Sequence, residues 1–299
     1  MQKVLSILWI GLAIASCDTH RADEPAYVRI ESLGLEDIDG CSWAGNSSSY
    51  ITTAWITVDG DNLGAFDLPC EIPVIPKEGA QSIKITPGID INGISAWRAQ
   101  YPFYTSHEED VVLTAGEVIT LPTGGNGHVL HYGGPCLDPF MIDHFNSAGL
   151  NLSPSSLSDT NIYLITGPQK FPAPNGESNL ASGEATLSPG MQRLELITST
   201  LYDLPTGNED VYLELDYQTS TEIVIGVIAH RPGEMTQAAT ATLRPKDYWH
   251  HAYINLVTEV SAYPDATSYQ IFIGAVRTGE DADTTDVVRL DNLRILTCL

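Results

Sequence analysis

The chain has 299 residues, with 14 Lys plus Arg against 38 Asp plus Glu and a formal net charge of −24. That field repels phosphate backbones and anionic lipid headgroups, which sets nucleic acid and peripheral membrane adsorption aside as partners. The length exceeds a usual single domain of about 100–150 residues, so two domains are expected. In chain order, Lys3, an apolar run from Val4 to Ile14 and small residues before Cys17 have the build of a secretory signal peptide over 1–16. Residues 17–25 follow as a polar, turn-rich tether. Its eight residues after Cys17 reach under ~30 Å even when extended, which would hold the first domain close to the lipid.

Ile14-Ala15-Ser16-Cys17 resembles the lipobox of bacterial lipoproteins. The resemblance implies that Cys17 is lipidated and becomes the new N-terminus, anchored by two or three acyl chains more firmly than by one. Asp18 fits two known sorting styles, inner-membrane retention in enterobacterial lipoproteins and surface export in Bacteroidetes. The second is the style followed here. The implied placement is the cell envelope, lipid-anchored in the outer membrane, either facing the periplasm or exposed at the surface, with the membrane as a partner through the anchor.

β-branched or alternating runs recur at 26–32, 50–59, 81–86, 110–121, 160–166, 191–199, 211–217, 221–229, 249–259, 268–277 and 286–296, separated by Gly, Pro, Asn and Asp. No stretch keeps a 3.6-residue apolar period over three turns, so helix is expected only in short pieces. The chain reads as all-β, two β-sandwich domains over 26–123 and 136–299. A Gly-rich linker, 124–135, lies between them.

Within the first domain Trp55-Ile56-Thr57-Val58-Asp59-Gly60 leads into Asn62-Leu63-Gly64, Leu68-Pro69, Glu78-Gly79 and Pro87-Gly88. Asp59-Gly60 suits a turn that needs positive φ. The succession resembles the PEGA-type β domain over roughly 48–122, departing from it at Ala65-Phe66 and in a longer insert, Gly88 to Tyr104. A small PEGA- or Ig-like sandwich is implied, a binding or spacer module without chemistry. Trp97, Arg98, Tyr101, Phe103 and Tyr104 crowd that insert, either as a ligand or protein contact or as core.

In the second domain the opening Phe140-Met141-Ile142-Asp143-His144-Phe145, the Val211–Tyr217 strand, Trp249-x-x-Ala252-Tyr253-Ile254 and the closing Leu290-Asp291-Asn292-Leu293-Arg294-Ile295 resemble the jelly-roll sandwiches of carbohydrate-binding modules. The resemblance implies a jelly roll over 136–299 and, in the family pattern, a structural calcium held by Asp291 with Asp143 or Asp138; hydrogen bonds from loop backbone to these carboxylates are the alternative. Glu280, Asp281, Asp283 and Asp286 form a second acidic loop. Strand alternation places Tyr212, Glu214 and Asp216 on one face, opposite Val211, Leu213, Leu215 and Tyr217. If solvent reaches that face, tyrosine stacking and carboxylate acceptors suit a sugar. Trp249 is read as core.

Apart from Cys17, the cysteines are Cys41, Cys70, Cys136 and Cys298, an even number that allows three disulfide connectivities in an oxidising compartment. Cys41 with Cys70 and Cys136 with Cys298 keeps each pair within one domain. Their spacing does not suit structural zinc. Glu214-Leu215-Asp216 matches the start of a retaining β-glucanase motif, but Gln218 and Thr219 stand where the second glutamate falls. No GxSxG, HExxH or P-loop occurs, and His128-x-x-His131 lacks a third metal ligand. The expected function is therefore a non-catalytic, lipid-anchored envelope lipoprotein that binds a glycan or another ligand. The alternatives are an assembly subunit of an outer-membrane protein complex and, third, a glycosidase-like enzyme.

Overall fold

The computed structural model describes residues 23–36, 46–125, 127–133, 137–147, 149–277 and 284–298. The expected signal peptide, Cys17, Cys41 and the acidic loop 280–283 lie outside the described residues. The N-terminal half is built from β1 (Ala26–Ile30), β2 (Gly34–Leu35), β3 (Thr53–Val58), β4 (Asp61–Asp67), β5 (Cys70–Val74), β6 (Ala80–Asp90), β7 (Arg98–Gln100), β8 (His107–Val112), β9 (Val118–Leu121) and β10 (His128–Leu130). One sheet runs β4-β3-β6-β7, with β8 also on β6, and a second runs β5-β1-β9; β2 and β10 pair in parallel. Alternation in β3 turns Ala54, Ile56 and Val58 into the core against Ile83 and Ile85 of β6. The β3–β4 hairpin closes through Asp59 and Gly60, both at positive φ (50° and 86°). This is the geometry that an Asp-Gly pair favours.

The C-terminal half contains β11 (Leu137–Asp143), β12 (Leu152–Pro154), β13 (Ile162–Ile165), β14 (Ser182–Leu187), β15 (Arg193–Thr198), β16 (Val211–Thr219), β17 (Ile223–Arg231), β18 (Glu234–Leu243), β19 (Lys246–Asn255), β20 (Ser268–Val276) and β21 (Asp286–Cys298), with one short helix, α1 (Val257–Ser261). A sheet of order β13-β14-β21-β16-β19, with β11 also on β21, faces a sheet of order β12-β15-β20-β17-β18. Leu213 and Leu215 of β16, Ile225 and Val227 of β17, Ile271 and Ile273 of β20 and Leu290 of β21 fill the space between them. The chain is an all-β molecule of two sandwiches, as its alternation indicates.

The two halves share an extensive apolar contact. Tyr212, Tyr253 and Leu296, on the outer face of the β16–β19–β21 sheet, belong to the same buried cluster as the N-terminal core. Tyr101, Phe103 and Tyr104, which follow β7, pack edge-on against them, with Tyr101 to Tyr212 ring centroids 5.2 Å apart. Backbone joins the halves as well: Asn92 N–H donates to Tyr253 O at 2.8 Å, and Asn255 N–H donates to Asn92 Oδ1 at 2.8 Å. Residues 127–133, within the expected linker, are part of this construction, since β10 pairs with β2 and the Tyr104 ring packs on Tyr132.

Candidate ligand-binding site

Tyr212, Glu214 and Asp216 do share one face of β16, but the reading of that face as open to solvent is corrected. All three are buried. The N-terminal sandwich covers the sheet there, so β16 is enclosed on both sides. Glu214 sits at the centre of the covered face. Arg294 Nε donates to its Oε2 at 2.6 Å, Tyr132 Oη donates to Oε2 at 2.6 Å and Tyr101 Oη donates to Oε1 at 2.5 Å. Burial alone would raise this carboxyl, but Arg294, His251 and Tyr101 outweigh it and hold the group at about 2. His251 Nδ1 lies 3.0 Å from Asp216 Oδ1, and its Nε2 lies 3.6 Å from Glu214 Oε2, an ionic contact rather than a hydrogen bond. Burial opposes charge on this imidazole; the two carboxylates prevail and shift it upward.

Asp216 also accepts from Ser48 Oγ at 2.6 Å and from Asn292 Nδ2 at 2.8 Å. Serine, histidine and aspartate therefore meet, but the Ser48 hydroxyl approaches the same imidazole nitrogen as Asp216, 3.3 Å away. A charge-relay triad needs the nucleophile and the carboxylate on opposite ring nitrogens. This cluster joins the two sandwiches and leaves Glu214 no path to a substrate.

The other candidates separate. In the 88–104 insert Trp97 is exposed, Arg98 pairs with Asp67 at 2.8 Å, and Tyr101 is buried in the junction. Asp143 accepts from the backbone of Phe145 and Asn151, whereas Asp291 accepts from Ser182, Asn179 and the backbone of Asn292. The two carboxylates share no partner, and the side chain of Asp138 lies outside the described residues. Among the described residues no group of three metal-ligating side chains converges. Among the described residues Cys70 has no disulfide partner, and Cys41, its expected partner, lies outside them. The backbone of Cys298 pairs with Leu137, next to Cys136, but the side chains of that pair are likewise not described. His131 lies 3.1 Å from Glu36.

Where the two sandwiches meet at the surface, a different set of residues gathers. Tyr50, in the segment leading to β3, is 45% exposed, and its ring lies 4.4 Å from that of His250 on β19. The His250 ring in turn meets Tyr217 at 5.7 Å and Tyr248 at 6.0 Å, edge-on in each case. A cavity of about 690 Å³ opens on one side of this aromatic group, with Asp90 and Ser95 on the N-terminal wall and Tyr217, Arg244, Lys246 and His250 on the other. Smaller cavities of about 290 and 430 Å³ also border Tyr50, the first lined by Trp249, Phe171 and Ser49, the second by Thr52, Asp67 and Arg98. Trp249 is half-buried rather than core, its ring edge-on to Phe171 at 5.4 Å and its indole N–H donating to Gln169 O at 3.3 Å. Burial, together with the Lys246 and His251 charges, pulls His250 down to about 4, so its ring is neutral at pH 7. An aromatic ridge flanked by hydroxyls, carboxylates and cations in an open groove can stack on a flat apolar ring face and bond the polar rim around it.

Alternation could not reveal this site, because its parts come from both sandwiches and from turns. The available signal was Lys246-Asp247-Tyr248-Trp249-His250-His251, three aromatic types beside a cation in a chain poor in cations.

No family model and no curated protein matches the sequence. Among solved structures, the chain is similar to a family 29 carbohydrate-binding module complexed with mannohexaose, at 10% identity over 54% of this chain and 92% of that one, with a TM-score of 0.32. It is similar to the family 30 carbohydrate-binding module of a cellulosomal cellulase of Clostridium thermocellum, at 15% identity over 52% and 96%, TM-score 0.35. The enzymatically active domain of bacteriophage CBA120 tailspike protein 4 overlaps 52% of this chain and 21% of its own, at 11% identity and TM-score 0.38. These overlaps are loose, so the chemistry that this chain offers is read from its own residues.

Proposed function

We propose that this protein is a non-catalytic, lipid-anchored lipoprotein of the bacterial envelope that binds a carbohydrate in the groove between its two sandwiches. The observation that carries the reading is the Tyr50–His250–Tyr248 ridge, exposed at the junction and bordered on either side by cavities of mixed polar and apolar lining. Sugars present an apolar ring face and a girdle of hydroxyls. Tyr50 and Tyr248, 45% and 53% exposed, offer the stacking surfaces, and Asp90, Ser95 and Ser49 offer partners for hydroxyls. Glu214, enclosed and ion-paired, supports a binding role over hydrolysis, which needs two carboxylates reachable by substrate. Anchoring rests on Cys17 and its preceding tripeptide.

The test is retention of the full chain on a panel of immobilised glycans, repeated with Tyr50→Ala. Loss of one ring from a stacked platform should weaken binding about tenfold, equivalent to ~1.4 kcal/mol. Equal retention of both proteins would remove this site. A second reading, an assembly subunit, is favoured by one observation: Ile94 and Trp97 are exposed within three residues of each other, beside the groove. Co-purification of a membrane-protein partner that is lost with Trp97→Ala, with no glycan retained, would favour it instead.

A further inference from the structure

Cations are scarce here, and most are spoken for. Among the described residues eight lysines and arginines lie within ion-pair distance of a carboxylate, from Arg29 beside Glu71 to Arg294 beside Glu214. Lys84, Lys170, Arg244 and Lys246 form no such pair. Lys170 is bonded to the carbonyl of Asn179. Arg244 and Lys246 stand together, flanking Pro245 in the turn from β18 to β19, and both line the 690 Å³ cavity beside the aromatic ridge. Lys246 Nζ lies 5.4 Å from the centre of the Tyr248 ring and 3.3 Å from its hydroxyl, which holds the ammonium at the rim next to the stacking surface. Two carboxylates also line the cavity, Glu222 on the wall of Arg244 and Lys246 and Asp90 on the wall opposite, where Asp90 already accepts from Thr52 Oγ1 at 2.9 Å. Two unpaired cations persist here in a chain of net charge −24.

We propose that the groove takes an anionic oligosaccharide, with a carboxylate or sulfate group seated between Arg244 and Lys246 while a sugar ring rests on Tyr50 or Tyr248. The inference rests on the carbohydrate reading above and names its ligand class. A guanidinium and an ammonium supply charge-assisted donors to such a group, a local attraction that works against the net negative field of the chain.

The experiment uses the full chain in mild detergent with four probes: polygalacturonate, its methyl ester, chondroitin sulfate and dextran. The inference predicts binding to at least one of the two charged polymers and weaker binding to the two neutral ones. That binding should fall about tenfold in the double variant Arg244→Gln/Lys246→Gln, and it should fall as salt is raised from 50 to 500 mM. Preference for polygalacturonate identifies a carboxylate ligand, and preference for chondroitin sulfate a sulfate. If a neutral polymer is held as tightly as a charged one, in a manner that depends on Tyr50 but not on Arg244 and Lys246, the inference is overturned and the carbohydrate reading stands. If no probe and no glycan of the wider panel is retained, both fall. Thermal unfolding of the double variant at an unchanged midpoint ties any loss to the rim and not to the fold.

Discussion

Arg294 and Glu214 form an ion pair fully removed from water, and that makes them the most consequential single residues for stability. Removing one member of a buried pair strands the other charge, at a cost of about 3–5 kcal/mol. Arg294→Met should therefore lower stability by that order in a denaturant titration. Adding Glu214→Gln should recover part of the loss, because the amide oxygen still accepts from Tyr101 or Tyr132 without carrying charge. A double variant no more stable than Arg294→Met would show that the pair does not act as a unit.

Asp291 makes a separate demand at the same scale. Burial pushes its carboxyl up to about 7, against hydrogen bonds from Ser182 and Asn179 that pull it down and with the Asp216 charge adding to the rise. The folded form therefore keeps a proton that the unfolded chain releases near pH 4, and the stability this group confers is lost as pH rises from about 4 to about 7, by at most ~4 kcal/mol. His250, held at about 4, acts in the opposite sense over part of that window, so the test is a difference: from pH 4 to pH 7 the unfolding free energy of the native protein should fall relative to that of Asp291→Asn, in which this contribution is absent. An unchanged difference would place the titration elsewhere.

At the scale of elements, β16 explains both what alternation reveals and what it hides. Val211, Leu213, Leu215 and Tyr217 face the sandwich core, as a period of two requires. Tyr212, Glu214 and Asp216 read as a solvated face because polar side chains usually are. Here one sandwich lies on another, and the polar atoms are satisfied by Arg294, His251, Ser48, two asparagines and two tyrosines, Tyr101 and Tyr132, from distant parts of the chain. Residue spacing carries no trace of such a partner. The Asp59-Gly60 hairpin was legible because its conformation is decided by the two residues themselves. The edge strand β18 was missed because its residues are mostly exposed, small or polar, so its alternation carries little apolar contrast. Cutting the chain to residues 137–298 would uncover Tyr212, Tyr253 and Leu296 together with the buried charges. That fragment should bind a hydrophobic dye and self-associate, whereas the full chain should do neither; a monomeric, dye-silent fragment would mean that the two sandwiches are held together more weakly than their contacts indicate.

For the whole molecule, the junction both unites the sandwiches and creates the groove at their rim. Neither sandwich alone contains the site: Tyr50 and Asp90 come from the first, His250, Tyr248 and Lys246 from the second. The anchoring proposal belongs to this scale too. Cys17→Ser should move the protein from the membrane fraction to the soluble fraction, and an unaltered distribution would count against lipidation at that residue. The measurement that tests the central claim most directly is hydrogen exchange of the full chain with and without the most strongly retained oligosaccharide. The account predicts slowed exchange in 46–52 and 244–251 together, one segment from each sandwich. Protection confined instead to β15, β17 and β20, the sheet remote from the junction, would contradict it.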